Sequence, residues 1–390
     1  MAPVPDRLRA LSETLVKIAS PTGDCDTLLV RLEKFLSAAR IPTDRLTGPG
    51  FAPVLVAGHP PDPRRPTVLW ATHADTVPPG GEPSHPAGEV AGGKMYGRGA
   101  LDMKGGLAIS LLLLEEFRDD PRFNLGLVVT TDEEAESAGA WEVLRHLPQD
   151  PSVVLVPEPT WERCAVSANG RIVWQVSVRG TGGHGEELRA TKAPPNPVLA
   201  MSRFVGSLPG DFVPLSIHSE AEGEVTLPRR VRVRLDHALP PGRDSAADRD
   251  ELLRLTRGGS RADSSLRWDV EPAPRTTPWL PAFEGDPKDA WVQRFLRAAK
   301  AELGRVRRFH MPAVGDFNVF GSRAPTVVFG PSGEGAHADD EWVDLGSLER
   351  CHAVYRRFLL EFPQEAAPRG EDGSVEEVPA PRTASDVAKG

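Results

Sequence analysis

Four short apolar runs in the 390-residue chain each lead into side chains that bind metals well, and no other feature constrains the fold as strongly. Thr67 to Thr72 precedes His73, Leu125 to Thr131 precedes Asp132-Glu133-Glu134, Ser152 to Val156 precedes Glu158, and Pro325 to Phe329 precedes a loop that reaches His337. Short apolar runs bounded by polar and turn residues read as buried strands. In open α/β sheets ligands bind at the carboxyl ends of the strands. Imidazoles and carboxylates repeated at that edge point to a metal-dependent active site.

The rest of the chain supports such a sheet. Leu8 to Ile18 and Leu28 to Ala39 carry apolar residues at helical spacing, separated by the turn formers Ser20-Pro21-Thr22-Gly23. Strands over Val54 to Ala57 and Val68 to Ala71 follow, then a Gly/Pro-rich loop from Pro78 to Gly99 and a helix from Met103 to Phe117. The strand Leu125 to Thr131, a helix over Ala138 to Leu147 and the strand Val153 to Val156 continue the alternation, which is the pattern of a parallel sheet covered on both faces. After Asn169-Gly170 the period changes to two, in Ile172 to Val178 and Val231 to Leu235, with a helical stretch over Pro197 to Ser207 between them. This predicts a small α+β unit with an antiparallel sheet. From Asp286 the first pattern resumes, with helices over Lys288 to Leu303 and Leu345 to Phe362 around the strand Thr326 to Phe329. The expected division is 1–168 and 276–363 for one α/β domain, 169–275 for an inserted unit, and 364–390 for a disordered tail. That tail is rich in Pro, Glu, Ala, Gly and Ser and too poor in apolar residues to offset the entropy of ordering.

Composition narrows the function. A net charge of -9 argues against a phosphate-backbone partner, so no nucleic acid is expected. No run approaches the ~18–20 apolar residues of a membrane span, and the start of the chain lacks a signal-type apolar core, so a soluble cytoplasmic protein is expected. Cys25, Cys164 and Cys351 are odd in number and far apart, which suits reduced, packed thiols and not a disulfide framework.

Each candidate residue has an ordinary alternative. Asp102, in Tyr96-Gly97-Arg98-Gly99-Ala100-Leu101-Asp102-Met103-Lys104-Gly105-Gly106, is either a helix N-cap or a group held close to a ligand by a glycine-rich backbone. Asp132-Glu133-Glu134 is either a solvated turn or a pair of roles, one glutamate binding a cation and its neighbour acting as general base. His73-Ala74-Asp75 suits an imidazole oriented by a carboxylate, Glu158 is fixed between Pro157 and Pro159, and His337 follows a glycine-rich approach and precedes Asp339-Asp340-Glu341. Two histidines and several carboxylates make the mixed N/O set expected for a pair of Zn²⁺ ions.

In this order the strings ATHADTVPPG, YGRGALDMKGG, TTDEEAESAG, VPEPT and GEGAHADDEWV resemble the motifs of the M20 metallopeptidase and deacylase family. That family includes acetylornithine deacetylases, succinyl-diaminopimelate desuccinylases, aminoacylases and glutamate carboxypeptidases. The resemblance implies that His73, Asp102 and Glu158 bind one zinc ion and that Asp102, Glu134 and His337 bind the other, with Co²⁺ as a substitute. It implies that Asp75 orients His73 and that Glu133 takes a proton from the water between the ions and delivers it to the leaving amine. It further implies a catalytic α/β domain interrupted by a lid that often mediates dimerisation, with His184 of Gly180-Thr181-Gly182-Gly183-His184 stabilising an oxyanion. His184 as a polar loop residue is the alternative.

Two lid features of the family are missing. The expected Asn falls at Val225 and the expected Arg of Asp-x-Arg falls at Ala238, which weakens any transfer of substrate identity. Gly315-Asp316-Phe317-Asn318 resembles a segment lining the substrate pocket, and Asn318 is either a substrate contact or a loop cap. The sequence thus predicts a di-zinc amidohydrolase acting on an N-acyl amino acid. A carboxypeptidase or dipeptidase with the same site and a non-catalytic binding protein of the same fold are the alternatives.

Overall fold

The apolar run ahead of His73 forms the strand Thr67–His73, and every residue in it from Val68 onward is buried. Such burial requires cover on both faces of the sheet. Its side chains alternate accordingly: Val68 and Trp70 join one core, Leu69 and Ala71 the other. In this computed structural model the described residues are 4–184, 186, 195–220, 223, 225–260 and 265–362. The tail expected at 364–390 lies outside them.

Thr67–His73 runs parallel to Asn124–Thr130 on one side and to Val153–Val156 on the other, and Val153–Val156 is parallel in turn to Thr326–Val328. The predicted parallel core is therefore present, but the sheet as a whole is mixed. Phe51–Gly58 joins antiparallel to Asn124–Thr130 and carries the hairpin partner Thr43–Gly48 to one edge. Cys164–Ala168 lies antiparallel to Thr326–Val328 towards the other. The Thr43–Gly48 strand is polar and largely solvated, so no apolar run announced it.

Helices Val4–Val16, Asp26–Ala38, Gly105–Phe117, Ala290–Leu303 and Leu345–Leu360 contribute to the first core. Ala138–His146 and Asp316–Gly321 contribute to the second. Gly105–Phe117 is buried on nearly all sides, as its apolar composition demands. Ala290–Leu303 is delimited by local chemistry. The Asp289 carboxylate accepts the Trp291 and Val292 N–H groups at 2.8 and 3.1 Å, and Gly304 ends the helix at φ 72°.

Strands Phe212–Glu220, Arg230–Leu239, Gly170–Arg179 and Arg267–Pro272, in that order, form a separate antiparallel sheet. Ile172, Trp174, Val176 and Val178 turn one face of it towards a third core shared with Phe204 of helix Pro197–Gly206 and Leu252 of helix Ser245–Ser260. No helix among the described residues is long and apolar enough to cross a membrane.

Phe295 is fully buried where Ala290–Leu303 meets Leu345–Leu360, its ring centroid 5.3–5.7 Å from those of Tyr355, Phe329 and Phe358. Phe295→Ala is expected to destabilise the protein by about 3–5 kcal/mol through lost transfer energy and a residual cavity. Denaturant unfolding checks this, and a loss below about 1 kcal/mol would mean that the site collapses freely.

Candidate metal centre

The carboxyl ends of the central strands bring the predicted residues together. His73 ends its own strand, Glu133 and Glu134 follow Asn124–Thr130, Glu158 follows Val153–Val156, and His337 lies on the loop beyond Thr326–Val328. Asp102 comes from a one-turn segment, Ala100–Lys104, that leads into Gly105–Phe117. His73 Nε2 lies 3.2 Å from Asp102 Oδ1 and 3.3 Å from Glu158 Oε1. His337 Nε2 lies 3.4 Å from Asp102 Oδ2 and 3.0 Å from Glu134 Oε2. The two oxygens of Asp102 thus face different histidines, and each cluster presents donor atoms within 4.8 Å of one another.

Buried charge is crowded in this arrangement. Burial, reinforced by Asp102, pushes the Glu158 carboxyl up to about 8. Burial also holds Glu133 well above the carboxylate range, with Glu158, Asp316 and Glu134 adding repulsion. His337 is drawn up to about 10 by its hydrogen bonds to Asp102 and Glu134. In addition, Glu134 Oε1 is buried with no hydrogen-bond partner. Crowded carboxylates, two imidazoles and an orphaned acceptor are the donor chemistry that divalent cations satisfy.

Asp75 acts on both sides of its own position. Its backbone oxygen lies 2.9 Å from His73 Nδ1, while its carboxylate oxygen is farther away at 3.5 Å. That carboxylate instead accepts the N–H groups of Glu133 and Glu134, each at 3.2 Å, and the Thr22 hydroxyl at 2.9 Å. Asp75 therefore contacts His73 through both its main chain and its carboxylate, and the same carboxylate holds the Glu133-Glu134 turn.

Glu341 is the residue whose role the sequence reading missed. Its fully buried carboxylate accepts the N–H groups of Gly99, Leu101 and Asp102 at 3.0, 2.9 and 3.0 Å. Its sequence signal was the acidic string after His337, which equally describes a solvated turn.

Two other predicted residues stand apart. Asn318 is fully buried; its Oδ1 accepts from Gly315 N at 2.9 Å, and its Nδ2 donates to Asn169 O and Pro281 O at 2.7 and 2.8 Å. It binds loops to one another. His184 is exposed on the two-residue strand Gly183–His184, opposite Thr226, and is absent from the walls of both cavities beside the clusters. One of those cavities, of about 580 Å³, is walled by Trp161, Phe309, Met311 and Phe317. The other, of about 480 Å³, lies against the antiparallel sheet and includes Arg171, Arg234 and Arg275. Glu133, Glu134 and His337 belong to both.

Comparison with known proteins places the chain among related sequences and folds. The profile of Peptidase family M20/M25/M40 matches residues 69–361. A succinyl-diaminopimelate desuccinylase of Methylorubrum extorquens is 28% identical over 394 residues, covering 90% of this chain and 97% of that protein. One from Cereibacter sphaeroides is 27% identical over 382 residues, covering 90% and 98%. Among solved structures, a tripeptidase from Staphylococcus aureus superposes with a TM-score of 0.74 at 17% identity, covering 91% of this chain and 97% of that one. Bacillus subtilis YXEP protein, described as a dinuclear metal binding peptidase, superposes at 0.70 with 16% identity, covering 92% and 99%. At such identities the structures establish the shared fold.

Because Glu341 holds the backbone of Asp102, Glu341→Gln is expected to weaken binding of added Zn²⁺ by about 10–100-fold, the usual effect of losing a group that orients a ligand. Calorimetric titration of the metal-stripped protein measures it. Unchanged affinity would show that Asp102 is placed without Glu341.

Proposed function

The chain belongs to Peptidase family M20/M25/M40, a hydrolase of amide or peptide bonds, and from that premise we propose a di-zinc enzyme that removes the acyl group from an N-acyl amino acid. The observation that carries this reading is the split of the Asp102 carboxylate between two three-residue donor sets, with Glu133 beside both. We assign His73, Asp102 and Glu158 to one ion and Asp102, Glu134 and His337 to the other. Bound divalent ions supply Lewis acidity to an amide carbonyl and to a water molecule.

The protein's own part is positioning and proton transfer. Glu133 accepts a proton from the attacking water as the new C–O bond forms. It then delivers that proton to the amide nitrogen as the C–N bond breaks, leaving a carboxylic acid and a free amine. Asp75 keeps the Glu133-Glu134 turn in place through two backbone N–H groups. Residues 1–168 and 276–363 act as the catalytic domain, with 169–275 as its lid. The near full-length relatives are named desuccinylases, which supports deacylation over the peptidase alternative. The setting in this reading is the cytoplasm, consistent with three buried, unpaired cysteines.

Glu133→Ala is expected to lower kcat by at least about 100-fold, the lower end of what general acid-base catalysis contributes, while bound zinc stays near two per chain. Turnover close to that of the unmodified enzyme would remove the assignment.

In this reading the lid also makes a homodimer, which brings His184 to the partner's site to stabilise the oxyanion. Val213, Leu215 and Ile217 on the outermost strand of the lid sheet are all exposed, as are Val198 and Leu199 on the lid helix. A strand edge with no strand partner among the described residues and with such side chains favours pairing with another strand. Sedimentation velocity should show a dimer that Ile217→Lys weakens; a monomer at all micromolar concentrations would exclude this role for His184.

A further inference from the structure

The cavity of about 580 Å³ is bordered by Asp102 and Glu158, which the other cavity lacks, as well as by Glu133, Glu134 and His337. Away from these groups its wall is made by Trp161, Phe309, Met311 and Phe317. Met311 and Phe317 are buried, Phe309 is half-buried and Trp161 is 51% exposed. Sheet pairing assembles this wall. Arg308–Met311 runs parallel to Cys164–Ala168, with Arg308 opposite Cys164 and Phe309 opposite Ala165, and Trp161 lies on the turn just ahead of Cys164.

Trp161 is held there against its own backbone preference. Trp161 and Glu162 lie in the left-handed region, at φ 52° and 58°, which a bulky side chain adopts only where its surroundings impose it. The N–H groups of Trp161 and Glu162 donate to the carbonyls of Pro331 and Gly330 at 3.3 and 3.0 Å, the indole N–H donates to the Gly333 carbonyl at 3.1 Å, and the Glu162 carboxylate pairs with Arg350 at 2.5 Å. A turn with no other task would carry glycine at such a position. Here the indole is fixed by its polar end, and much of its apolar surface stays open. The polar side chains on the same wall are engaged elsewhere. His310 meets Ser167 Oγ through Nδ1 at 2.9 Å and Asn169 Oδ1 through Nε2 at 2.7 Å. Arg163 Nε donates to the Thr160 carbonyl at 3.2 Å, and its guanidinium lies 4.2 Å from the Phe309 ring centroid and 5.4 Å from that of Trp161, so it braces the two rings.

We propose that Trp161 and Phe309, floored by Met311 and Phe317, select a large apolar acyl group on the amide substrate, aryl or branched aliphatic. This rests on the deacylase reading above and adds to it the class of acyl group and the residues that choose it. A dicarboxylic acyl group such as succinyl would set a second charge against apolar walls and lose its hydration without a partner. The amino-acid arm of the substrate carries a charge as well, so the acyl arm is the one that suits this cavity. An aromatic acyl group gains further from offset or edge-to-face contact with the two rings. The cavity volume falls within the range of about 300–1,000 Å³ usual for small-molecule sites.

The test uses zinc-loaded full-length protein and alanine acylated with acetyl, succinyl, phenylacetyl or 4-methylpentanoyl, the last having the shape of succinyl without its charge. For the unmodified enzyme, kcat/KM should favour phenylacetyl and 4-methylpentanoyl over acetyl and succinyl by at least about 100-fold, the scale of filling an apolar pocket. N-phenylacetylalanine should also exceed N-acetylphenylalanine, which carries the ring on the other arm. Trp161→Ala should cut the preference at least about tenfold, mainly through KM, and Trp161→Phe should keep part of it. Trp161→Gly, which suits the left-handed backbone, should lose the preference while the denaturation midpoint and bound zinc change little. Binding without turnover is read by calorimetry on Glu133→Gln, where N-phenylacetylalanine should bind at least about tenfold tighter than N-succinylalanine and Trp161→Ala should erase the difference. Equal binding of the panel, no binding of any member, preference for succinyl or for the ring on the amino-acid arm, or a preference untouched by Trp161→Ala would overturn the assignment. Trp161-dependent binding with no hydrolysis of any panel member would leave the apolar site standing and overturn the deacylase reading instead.

Discussion

Glu341 commits a buried carboxylate to the amide groups of Gly99, Leu101 and Asp102, and the rest of the metal centre depends on that tie. It joins residues about 240 positions apart at the one place where a single carboxylate faces both histidines. Those N–H groups and the Arg98 guanidinium offset part of the cost of burying the carboxylate, whose pKa burial still raises, and they tie down the Asp102 backbone. Asp75 does the same for the Glu133-Glu134 turn. Two carboxylates that face main chain thereby set the positions of those that face the centre.

The strand-end donors were legible in the sequence because buried parallel strands are short, apolar and abruptly ended, and a His or Glu at such an end has no core role to explain it. The alternation of Val68 and Trp70 with Leu69 and Ala71 shows why the run before His73 had no amphipathic period: both faces are covered. Less was legible where burial is achieved by other means. Thr43–Gly48 is polar and takes its strand form from pairing with Phe51–Gly58. Helix Ser245–Ser260 is rich in charge and buries a limited stripe that includes Leu252. Glu341 was hidden in an acidic string because hydrogen bonds to main-chain groups leave no mark on periodicity.

Asn318 and Arg275 show the same limit from opposite directions. Asn318 sits in a segment whose sequence resembles a pocket wall, yet every polar atom of its side chain is engaged with backbone from three separate loops. Arg275 sits among prolines and threonines at the expected end of the inserted unit. There the hydroxyl of Thr277, the carbonyl of Glu136 and the ring of Trp279 hold its guanidinium against the cavity of about 480 Å³. What decides the role of a polar side chain is whether its hydrogen-bonding capacity is already engaged, and that is a property of the fold.

The same criterion accounts for the lid's departure from the family pattern. Position 238 is an alanine, but its cross-strand neighbour is Arg171, and its own strand carries Arg234 on the same face. Loss of one guanidinium therefore does not remove positive charge from that face of the sheet. It redistributes the charge over residues with different partners: Arg171 is neutralised by Asp236, whereas Arg234 and Arg275 are not paired with any described carboxylate. In the proposed reading His184 lies outside both cavities and requires a second copy to bring it in.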